Sequence, residues 1–452
     1  MDEFLYQSLL LSVVALVKLA FIKRRPRLPP GPWKLPVIGS MHHLINVLPH
    51  RALRDLAAVH GPLMMLQLGQ TALVVASSKE TARAVLKTHD TNFATRPKLL
   101  AGQIVGYEWV DILFAPSGDY WRKLRQLCAA EILSPKRVLS FRHIREDEVM
   151  LRVEEIRAAG PSTPVNLSVM FHSITNSVVS RAATRAATKA VVGLASGFNI
   201  PDLFPGWTTV LAKLTGMTCS LQDIHKTVHT ILEEIIQERK AIRDEKISSG
   251  AEDIDENLVD VLLGLQEKGG FGFQLNNSII KAIILDMFAG GTGTSGSAME
   301  WGMSELMRNP EVMKKLQPAG ADQGGSIEEC ELDGYTIPAK SRVIINAWAI
   351  GRDPRYWEAA DEFKPERFED GARDFTGSSY EFLPFGSGRR MCPGFNYGLA
   401  SMELAFVGLL YHFDWSLPDG VEEVDMGEAP GLGVRRRTPL LLCATPFVPV
   451  DA

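Results

Sequence analysis

The stretch FLPFGSGRRMCPG, residues 382–394, decides the interpretation of this sequence because it places one cysteine in an unusual setting. Cys392 follows two arginines, Arg389 and Arg390, and glycines and prolines surround it. The residues after this stretch, FNYGLASMELAFVGLLYHF, carry apolar side chains at helical spacing, which predicts a helix. Cys392 is therefore expected just before a helix N-terminus, where the positive end of the helix dipole stabilises a thiolate.

The residues around Cys392 suit a ligand that combines a soft metal with carboxylates. Gly386 and Gly388 allow a backbone to approach a bound group closely. Arg389 and Arg390 suit carboxylates better than they suit a single thiol. Haem is a flat ligand with an iron ion and two propionates, and a cysteine thiolate can bind its iron. The alternative is a structural cysteine buried in a glycine-rich turn.

Composition and charge exclude several classes of protein. The chain has 452 residues, of which 46% are hydrophobic, so it can bury a large core. Its net charge of −5 gives no overall basic field that would attract nucleic acid. The five cysteines are odd in number, widely scattered and without a C-x-x-C pair. They indicate a reducing compartment, with neither a disulfide framework nor a zinc site.

The N-terminus predicts a membrane anchor. Residues 4–22, FLYQSLLLSVVALVKLAFI, are long enough to span a bilayer, and Lys18 lies near the end where it can reach the headgroups. The basic run KRRPR that follows is expected to stay in the cytosol. We therefore divide the chain into an anchor helix (1–22), a basic and proline-rich linker (23–34) and a catalytic domain (35–452). A buried core helix is the alternative for the first segment.

The rest of the chain predicts a mainly helical fold with small sheets. Residues 62–77 indicate two strands around Gly69, and SKETARAVLKTH indicates a helix with a serine cap. Helical patterns dominate from about residue 118 to residue 315. Short strands return beyond residue 330, in ELDGYTIPAKSRVIINAWAI and RRRTPLLLCATPF. The fold class is therefore α+β.

A second glycine-rich stretch, FAGGTGTSGS (288–297), follows a helical stripe of isoleucines that NNS is expected to cap. Glycines inside a helix are destabilising, so several together suggest a local function, for which Thr294 is the candidate. Alternatively, the Thr294 hydroxyl only bonds back to a helix carbonyl. Gly291, Gly293 and Gly296 also spell the dinucleotide motif G-x-G-x-x-G, but that motif requires a strand before it and the preceding residues are helix-periodic.

The motifs together resemble those of the cytochromes P450, and the likeness covers essentially the whole chain. The pattern F-x-x-G-x-R-x-C-x-G is the haem-binding signature of that family, and it is formed here by Phe385, Gly388, Arg390, Cys392 and Gly394. PERF (365–368) is similar to the loop motif upstream of the family's cysteine, and WRKLR (121–125) is similar to its C-helix motif. The anchor followed by PPGP is similar to the microsomal members of the family. The chain as a whole resembles the plant A-type group and looks closest to grass enzymes that oxidise polycyclic diterpenes.

The resemblance implies a haem-thiolate monooxygenase on the cytosolic side of the endoplasmic reticulum membrane, held by a single-pass anchor. Cys392 would bind the iron of haem b, and Trp121, Arg125 and Arg390 would hold its propionates. Thr294 would act in proton delivery during oxygen activation. The resemblance also implies O2, electrons from an NADPH-cytochrome P450 reductase and a lipophilic, terpenoid-like substrate, which GFNIPDLFPGW (197–207) would admit near the membrane.

The sequence departs from the family pattern at two places. Gly293 stands where the family has an acidic residue, which weakens a direct carboxylate proton relay. The helix that bears E-x-x-R in the family has no counterpart, because NPEVMKKLQ runs through PAGADQGGSIEE (318–329) into CELDGYTIPAK. Its absence would leave Arg367 of PERF as a buried charge without its partner, which is destabilising by about 3–5 kcal/mol. A shorter gap is expected near residues 180–192.

Three functions remain open on the sequence. The first is the monooxygenase, and the second is an inactive or poorly folded haem-binding chain that lacks the E-x-x-R helix. Glu305–Arg308 and Glu154–Arg157 match E-x-x-R by letters but lie in the wrong segments to replace it. The third is an isomerase of oxygenated lipids that uses haem without a reductase. Thr294 argues against the isomerase, because such an enzyme needs no relay of protons to oxygen.

Overall fold

The computed structural model describes most of the chain. The described residues are 27–179, 199–249, 257–311, 323–325, 330–369, 371, 373–429, 431 and 433–446. The predicted anchor (1–22), the gap expected near 180–192 and most of the stretch 318–329 lie outside them. In the described part of the chain, no helix is both long and apolar enough to cross a membrane.

Helices make up most of the described fold. They are α1 (Pro49–His60), α2 (Lys79–Arg83), α3 (Asp90–Phe93), α4 (Leu100–Ile104), α5 (Asp119–Leu127), α6 (Pro135–Ser140), α7 (Arg142–Ala159), α8 (Leu167–Val179), α9 (Ile200–Leu203), α10 (Thr208–Leu214), α11 (Met217–Ser249), α12 (Leu258–Lys268), α13 (Asn277–Arg308), α14 (Ala347–Ile350) and α15 (Phe395–His412). Short 3-10 turns lie at Met41–Leu44, Pro365–Phe368 and Gly388–Arg390, and π turns lie at Ala84–Thr88 and Cys128–Ile132.

The strands are short and form small sheets, as the sequence predicts. They are β1 (Leu63–Leu68), β2 (Thr71–Ala76), β3 (Val165–Asn166), β4 (Gln323–Gly325), β5 (Cys330–Leu332), β6 (Tyr335–Ile337), β7 (Arg342–Ile345), β8 (Phe413–Ser416), β9 (Glu428–Ala429), β10 (Arg435–Arg436) and β11 (Leu441–Pro446). The largest described sheet has the order β1-β2-β7-β4, with β2 and β7 parallel. The others are β3-β11-β8, β5-β6 and β9-β10.

Local sequence explains where key elements begin. The Asn276 side chain accepts a hydrogen bond from the backbone N–H of Ile279 and caps α13, as predicted from NNS. Ser78 and Thr81 form a capping box at α2. Gly69 adopts a positive φ of 57° between β1 and β2, where an L side chain is disfavoured. These residues confirm the predicted caps at Ser78 and Asn276 and the two strands predicted around Gly69, which pair antiparallel.

The long helix α13 lies at the centre of the molecule. Its first half packs with α5, α11 and α12 in one apolar cluster, to which Ile280 and Ile283 contribute fully buried side chains. Its second half packs with α7, α8 and α15 in another cluster through Met299, Met303 and Leu306. Burial of these two ends fixes α13 and leaves its glycine-rich middle to form the site described next.

Candidate active site

Cys392 lies in a tight loop that leads into α15. Its backbone N–H donates to the carbonyl oxygen of Phe385 at 2.9 Å, which closes the loop. α15 begins at Phe395, so Cys392 precedes the helix N-terminus as predicted. Cys392 is half-buried and is not part of a disulfide. Its position beside the helix N-terminus favours the thiolate form of the side chain.

The glycines of this loop serve different purposes. Gly388 adopts a positive φ of 71°, and a Cβ there would lie 2.1 Å from the carbonyl oxygen of Leu86. Gly388 is therefore needed because the loop packs against the backbone of the Ala84–Thr88 turn, and not only for a bound group as the sequence suggests. At Gly394, by contrast, a Cβ would meet no heavy atom within 4 Å. Space lies beside this glycine, two residues after the cysteine.

The middle of α13 presents an open face. Gly290 and Thr294 are exposed, although Phe288, Thr292 and Ser295 beside them are buried. A Cβ at Gly290 or Gly293 would meet no heavy atom within 4 Å. The Thr294 hydroxyl donates to the carbonyl oxygen of Gly290 at 2.5 Å, which is the back-bonding that the sequence left as an alternative. The Thr294 oxygen can still accept a hydrogen bond from a donor on the open side of α13.

A close helix crossing brings Thr294 and Cys392 to the same region. A Cβ at Gly398 would lie 3.5 Å from Oγ of Ser295, so α15 and α13 are in contact there. Ser295 follows Thr294 directly, and Gly398 is the fourth residue of the helix that Cys392 precedes. The two segments are far apart in sequence, and only the crossing of α13 and α15 places them together.

The predicted propionate partners also meet. The Arg390 guanidinium stacks on the Trp121 ring at 3.8 Å, and the Arg125 guanidinium lies 5.6 Å from the same ring centroid. Arg125 donates to the backbone oxygen of Met391. Arg390 donates to three backbone oxygens, those of Ala94 (2.7 Å), Ile112 (3.2 Å) and Ala115 (2.5 Å). Two positive charges on one indole suit a ligand edge with two carboxylates.

The residues present fit a haem group. Cys392 lies before a helix N-terminus and offers a sulfur ligand that haem iron accepts. The guanidinium group of Arg390 lies on the same loop, and that of Arg125 lies on helix α5. Space lies beside Gly394 on the cysteine side and beside Gly290 and Gly293 on the α13 side. A Cβ at any of these three glycines would extend into that space. The arrangement is therefore consistent with a flat ligand between the cysteine loop and α13.

The sequence reasoning missed two carboxyl groups near this site, the buried Asp111 and the half-buried Asp286. Burial raises the pKa of Asp286 on α13 to about 7. Burial and the neighbouring Asp286 raise the pKa of Asp111 well above its ordinary value. Each accepts backbone N–H groups of residues 112–114, Asp286 from Ile112 and Leu113 and Asp111 from Phe114. The only sign of such a group in the sequence was Asp286 itself, a single acid within the apolar stripe before Thr294.

The expectation that Arg367 is a buried, unpartnered charge is wrong. Arg367 is half-buried, and its guanidinium donates to backbone oxygens of the same loop at 3.0–3.3 Å, those of Lys364, Glu358, Ala359 and Glu362. It also lies 5.6 Å from the ring centroid of the buried Trp357. Partial exposure and four carbonyl acceptors remove the penalty that a buried, isolated cation would carry.

Arg367→Ala should therefore lower the free energy of unfolding by a moderate amount. We expect about 1–3 kcal/mol, because four carbonyl oxygens lose a shared donor that water replaces only in part. Urea unfolding followed by far-UV circular dichroism measures this change. Arg355→Ala is the matched control, because its exposed ion pair with Asp353 is expected to contribute less than about 1 kcal/mol. Equal small losses in both variants would contradict a structural role for Arg367.

The structure also decides what the E-x-x-R and G-x-G-x-x-G letter matches are. Glu305 and Arg308 form a local pair at 3.6 Å at the end of α13, and Arg157 lies 3.0 Å from Nδ1 of His412, so neither pair reaches Arg367. The G-x-G-x-x-G letters lie inside α13 and do not connect a strand to a helix. The dinucleotide interpretation is therefore excluded by its structural context.

Comparisons with known proteins identify the family. The sequence profile of the family named Cytochrome P450 matches residues 29–319 and 326–444. Premnaspirodiene oxygenase from Hyoscyamus muticus is 44% identical over 472 residues, which cover 94% of this chain and 93% of that protein. 5-epiaristolochene 1,3-dihydroxylase from Nicotiana tabacum is 41% identical over 473 residues (94% of each chain). Desmethyl-deoxy-podophyllotoxin synthase from Sinopodophyllum hexandrum is 42% identical over 488 residues (97% and 95%).

The same comparisons bear on the expected missing segment. The family match is interrupted between residues 319 and 326, inside the stretch 318–329. The aligned span of 472 residues is longer than this chain of 452 residues, so the Hyoscyamus muticus protein has residues that this chain lacks. Both observations agree with a chain shorter than its relatives. The loss of the E-x-x-R helix itself stays a prediction.

The family match, the relatives named as oxygenases and hydroxylases, and the mainly helical fold with small sheets lead to one conclusion. This family implies a haem-iron cofactor, O2, a lipophilic substrate and a redox partner. The chain belongs to the cytochrome P450 family and is a P450 monooxygenase.

Proposed function

We propose that this chain binds haem b through Cys392 and oxidises a lipophilic, terpenoid-like metabolite of plant secondary metabolism. The observation that carries this proposal is that a loop and a helix face from distant parts of the sequence lie in one region. The half-buried Cys392 precedes α15, and the exposed Gly290–Thr294 face of α13 lies beside the crossing of the same helix. Names of relatives that refer to premnaspirodiene and 5-epiaristolochene oxidation support the substrate class.

The residues around Cys392 would hold the haem and set the state of the sulfur. When bound, haem supplies the oxygen-activating iron chemistry of the family. The start of α15 favours an anionic Cys392, and donation from that sulfur is the property that distinguishes thiolate-bound haem. Trp121, Arg125 and Arg390 would hold the propionates, because both guanidinium charges lie close to the Trp121 indole.

Thr294 would take part in proton transfer on the α13 side of the site. Its hydroxyl donates to Gly290 O and can at the same time accept a hydrogen bond from a water molecule. Gly293 supplies no acid beside it, so water held by Thr294 would be the proton carrier. We therefore propose a water-dependent relay in this chain, with an NADPH-cytochrome P450 reductase as the electron donor.

We also propose that the chain lies at the endoplasmic reticulum membrane with its catalytic domain in the cytosol, and exposed apolar side chains support a surface that faces a membrane. Trp33 and Ile45 near the N-terminus are 63% and 59% exposed, and Trp207 and Leu214 of the α9–α10 region are 59% and 77% exposed. The backbone N–H of Gln70 donates to Leu203 O at 2.9 Å, which joins the α9–α10 region to the N-terminal sheet. Aromatic and aliphatic side chains of this kind favour a membrane interface.

The predicted anchor can be tested by alkaline carbonate extraction of microsomes. The full chain is expected in the membrane pellet, because residues 4–22 are long and apolar enough to span a bilayer. A chain without residues 1–22 is expected largely in the supernatant, since the interfacial residues alone give weaker binding. Recovery of the full chain in the supernatant would contradict the anchor.

The second candidate is a haem-binding chain without activity. The interrupted family match and the longer relative favour it, because a lost segment removes contacts on which the fold of a relative depends. The carbonyl acceptors of Arg367 argue the other way, since this loop is satisfied without an E-x-x-R partner.

The first experiment is the carbon-monoxide difference spectrum of the reduced, recombinant full chain. A red-shifted thiolate Soret band is expected, because the proposed iron ligand is the Cys392 thiolate. Haem with a neutral-thiol band, or no haem, would contradict the proposed monooxygenase and favour the second candidate.

A further inference from the structure

Residues 111–115, which we call the bridge segment, connect α13 to the cysteine loop. On one side, Oδ2 of Asp286 accepts the backbone N–H of Ile112 at 2.7 Å and that of Leu113 at 3.3 Å. On the other side, Ile112 O and Ala115 O accept from Arg390 at 3.2 and 2.5 Å. The backbone of a single residue, Ile112, thus bonds to both elements.

Trp121 is part of the same connection. Its Nε1–H donates to Ile112 O at 3.1 Å, and Arg390 stacks on its ring. The Ile112 and Ala115 oxygens that accept from Arg390 belong to the bridge segment, and the Ala94 oxygen does not. The orientation of the bridge segment therefore determines where the Arg390 guanidinium and the Trp121 indole lie.

Asp286 holds the bridge segment from the α13 side. Because Asp286, Gly290 and Thr294 are spaced by four residues, they share one face of α13. The two accepted amides favour an ionised carboxyl group, and burial opposes it with the larger effect, so the pKa of Asp286 is raised. Without Asp286, two backbone N–H groups of the bridge segment would lose their acceptor.

We propose that Asp286 is a positioning residue that fixes Arg390 and Trp121 through the bridge segment, and so couples the α13 face to the haem site. This inference rests on the proposed haem site for its consequence, but the bridge itself is a property of the polypeptide. Asp286 acts through backbone amides of the bridge segment. A change at Asp286 therefore reaches the cysteine loop in two hydrogen-bonded steps.

Hydrogen–deuterium exchange of the purified full chain tests the bridge without any need for haem. Asp286→Ala is expected to raise exchange of the Ile112 and Leu113 amides by about tenfold or more, because both lose their acceptor. Asp286→Asn should restore slow exchange to within about threefold of the wild type, since its amide oxygen accepts the same N–H groups. Unchanged exchange in Asp286→Ala would overturn the proposal.

Asp202 provides a matched control. It is buried, its pKa is raised like that of Asp286, and it accepts the backbone N–H of Leu100 at 3.3 Å. Asp202→Ala should raise exchange near Leu100 and leave the bridge segment as in the wild type. If it raised exchange of both regions equally, the effect of Asp286→Ala would be general destabilisation. If Asp286→Ala yields no folded chain, Asp286→Gln, which displaces the acceptor, carries the same test with the same expected increase.

A second readout connects the bridge to the haem site. In haem-loaded chain, transfer of haem to apomyoglobin should be about tenfold faster for Asp286→Ala than for the wild type, and near the wild-type rate for Asp286→Asn. Equal transfer rates for all three would overturn the positioning role. Absence of haem from the wild type, together with the expected exchange pattern, would instead reject the proposed function and leave the bridge intact.

Discussion

Replacing Cys392 with alanine is expected to abolish the red-shifted thiolate Soret band of the reduced, carbon-monoxide-bound chain. Cys392 is the cysteine that lies at a helix N-terminus beside the open α13 face, so its loss removes the proposed iron ligand. The haem content at equal protein concentration should fall by about tenfold or more, because the metal–ligand bond couples haem binding to the folded loop.

Cys219→Ala is the control for this experiment. Cys219 is exposed on α11 and is expected to have no part in haem binding, so the spectrum should be unchanged. Circular dichroism of Cys392→Ala should show retained helix, because the loop-closing bond from the Cys392 backbone N–H to Phe385 O does not depend on the side chain. A thiolate band that persists in Cys392→Ala would show that the assignment of the ligand is wrong.

Gly388→Ala should have the largest effect on stability among substitutions in the cysteine loop. The residue has a positive φ of 71°, which costs an L residue about 1–2 kcal/mol. The added Cβ would also lie 2.1 Å from Leu86 O, and moving backbone to relieve such overpacking costs about 1–3 kcal/mol more. We expect a loss of about 2–5 kcal/mol, measured by urea unfolding of the chain without haem.

Gly394→Ala separates stability from haem binding within the same motif. Its φ is −96°, and the new Cβ would meet no heavy atom within 4 Å, so the unfolding free energy should change by less than about 1 kcal/mol. The methyl group would instead project into the space proposed for haem and lower haem content. If Gly388→Ala were as stable as Gly394→Ala, the packing of the cysteine loop against Leu86 would be wrong.

The sequence predicted the elements of the site well because its signals are local. A cap such as Asn276, a hairpin turn such as Gly69 and a cysteine before an apolar helix each depend on a few neighbouring residues. Asp286 and Arg367 could not be predicted in this way. The partners of Asp286 come from a segment far earlier in the chain. Arg367 donates to backbone carbonyl oxygens, and every residue type has a carbonyl, so the sequence does not show which residues accept.

The sequence by itself determined the mainly helical architecture, the position of Cys392 before α15 and the family, because periodicity, capping and motif spacing are properties of short stretches. Only the tertiary structure decided that Thr294 and Cys392 share one region, since this depends on the contact of Gly398 with Ser295. It also decided that Gly388 is needed for packing and that the bridge segment links α13 to Arg390. Hydrogen bonds and contacts between distant segments form only when the helices pack, and single-sequence patterns do not encode their partners.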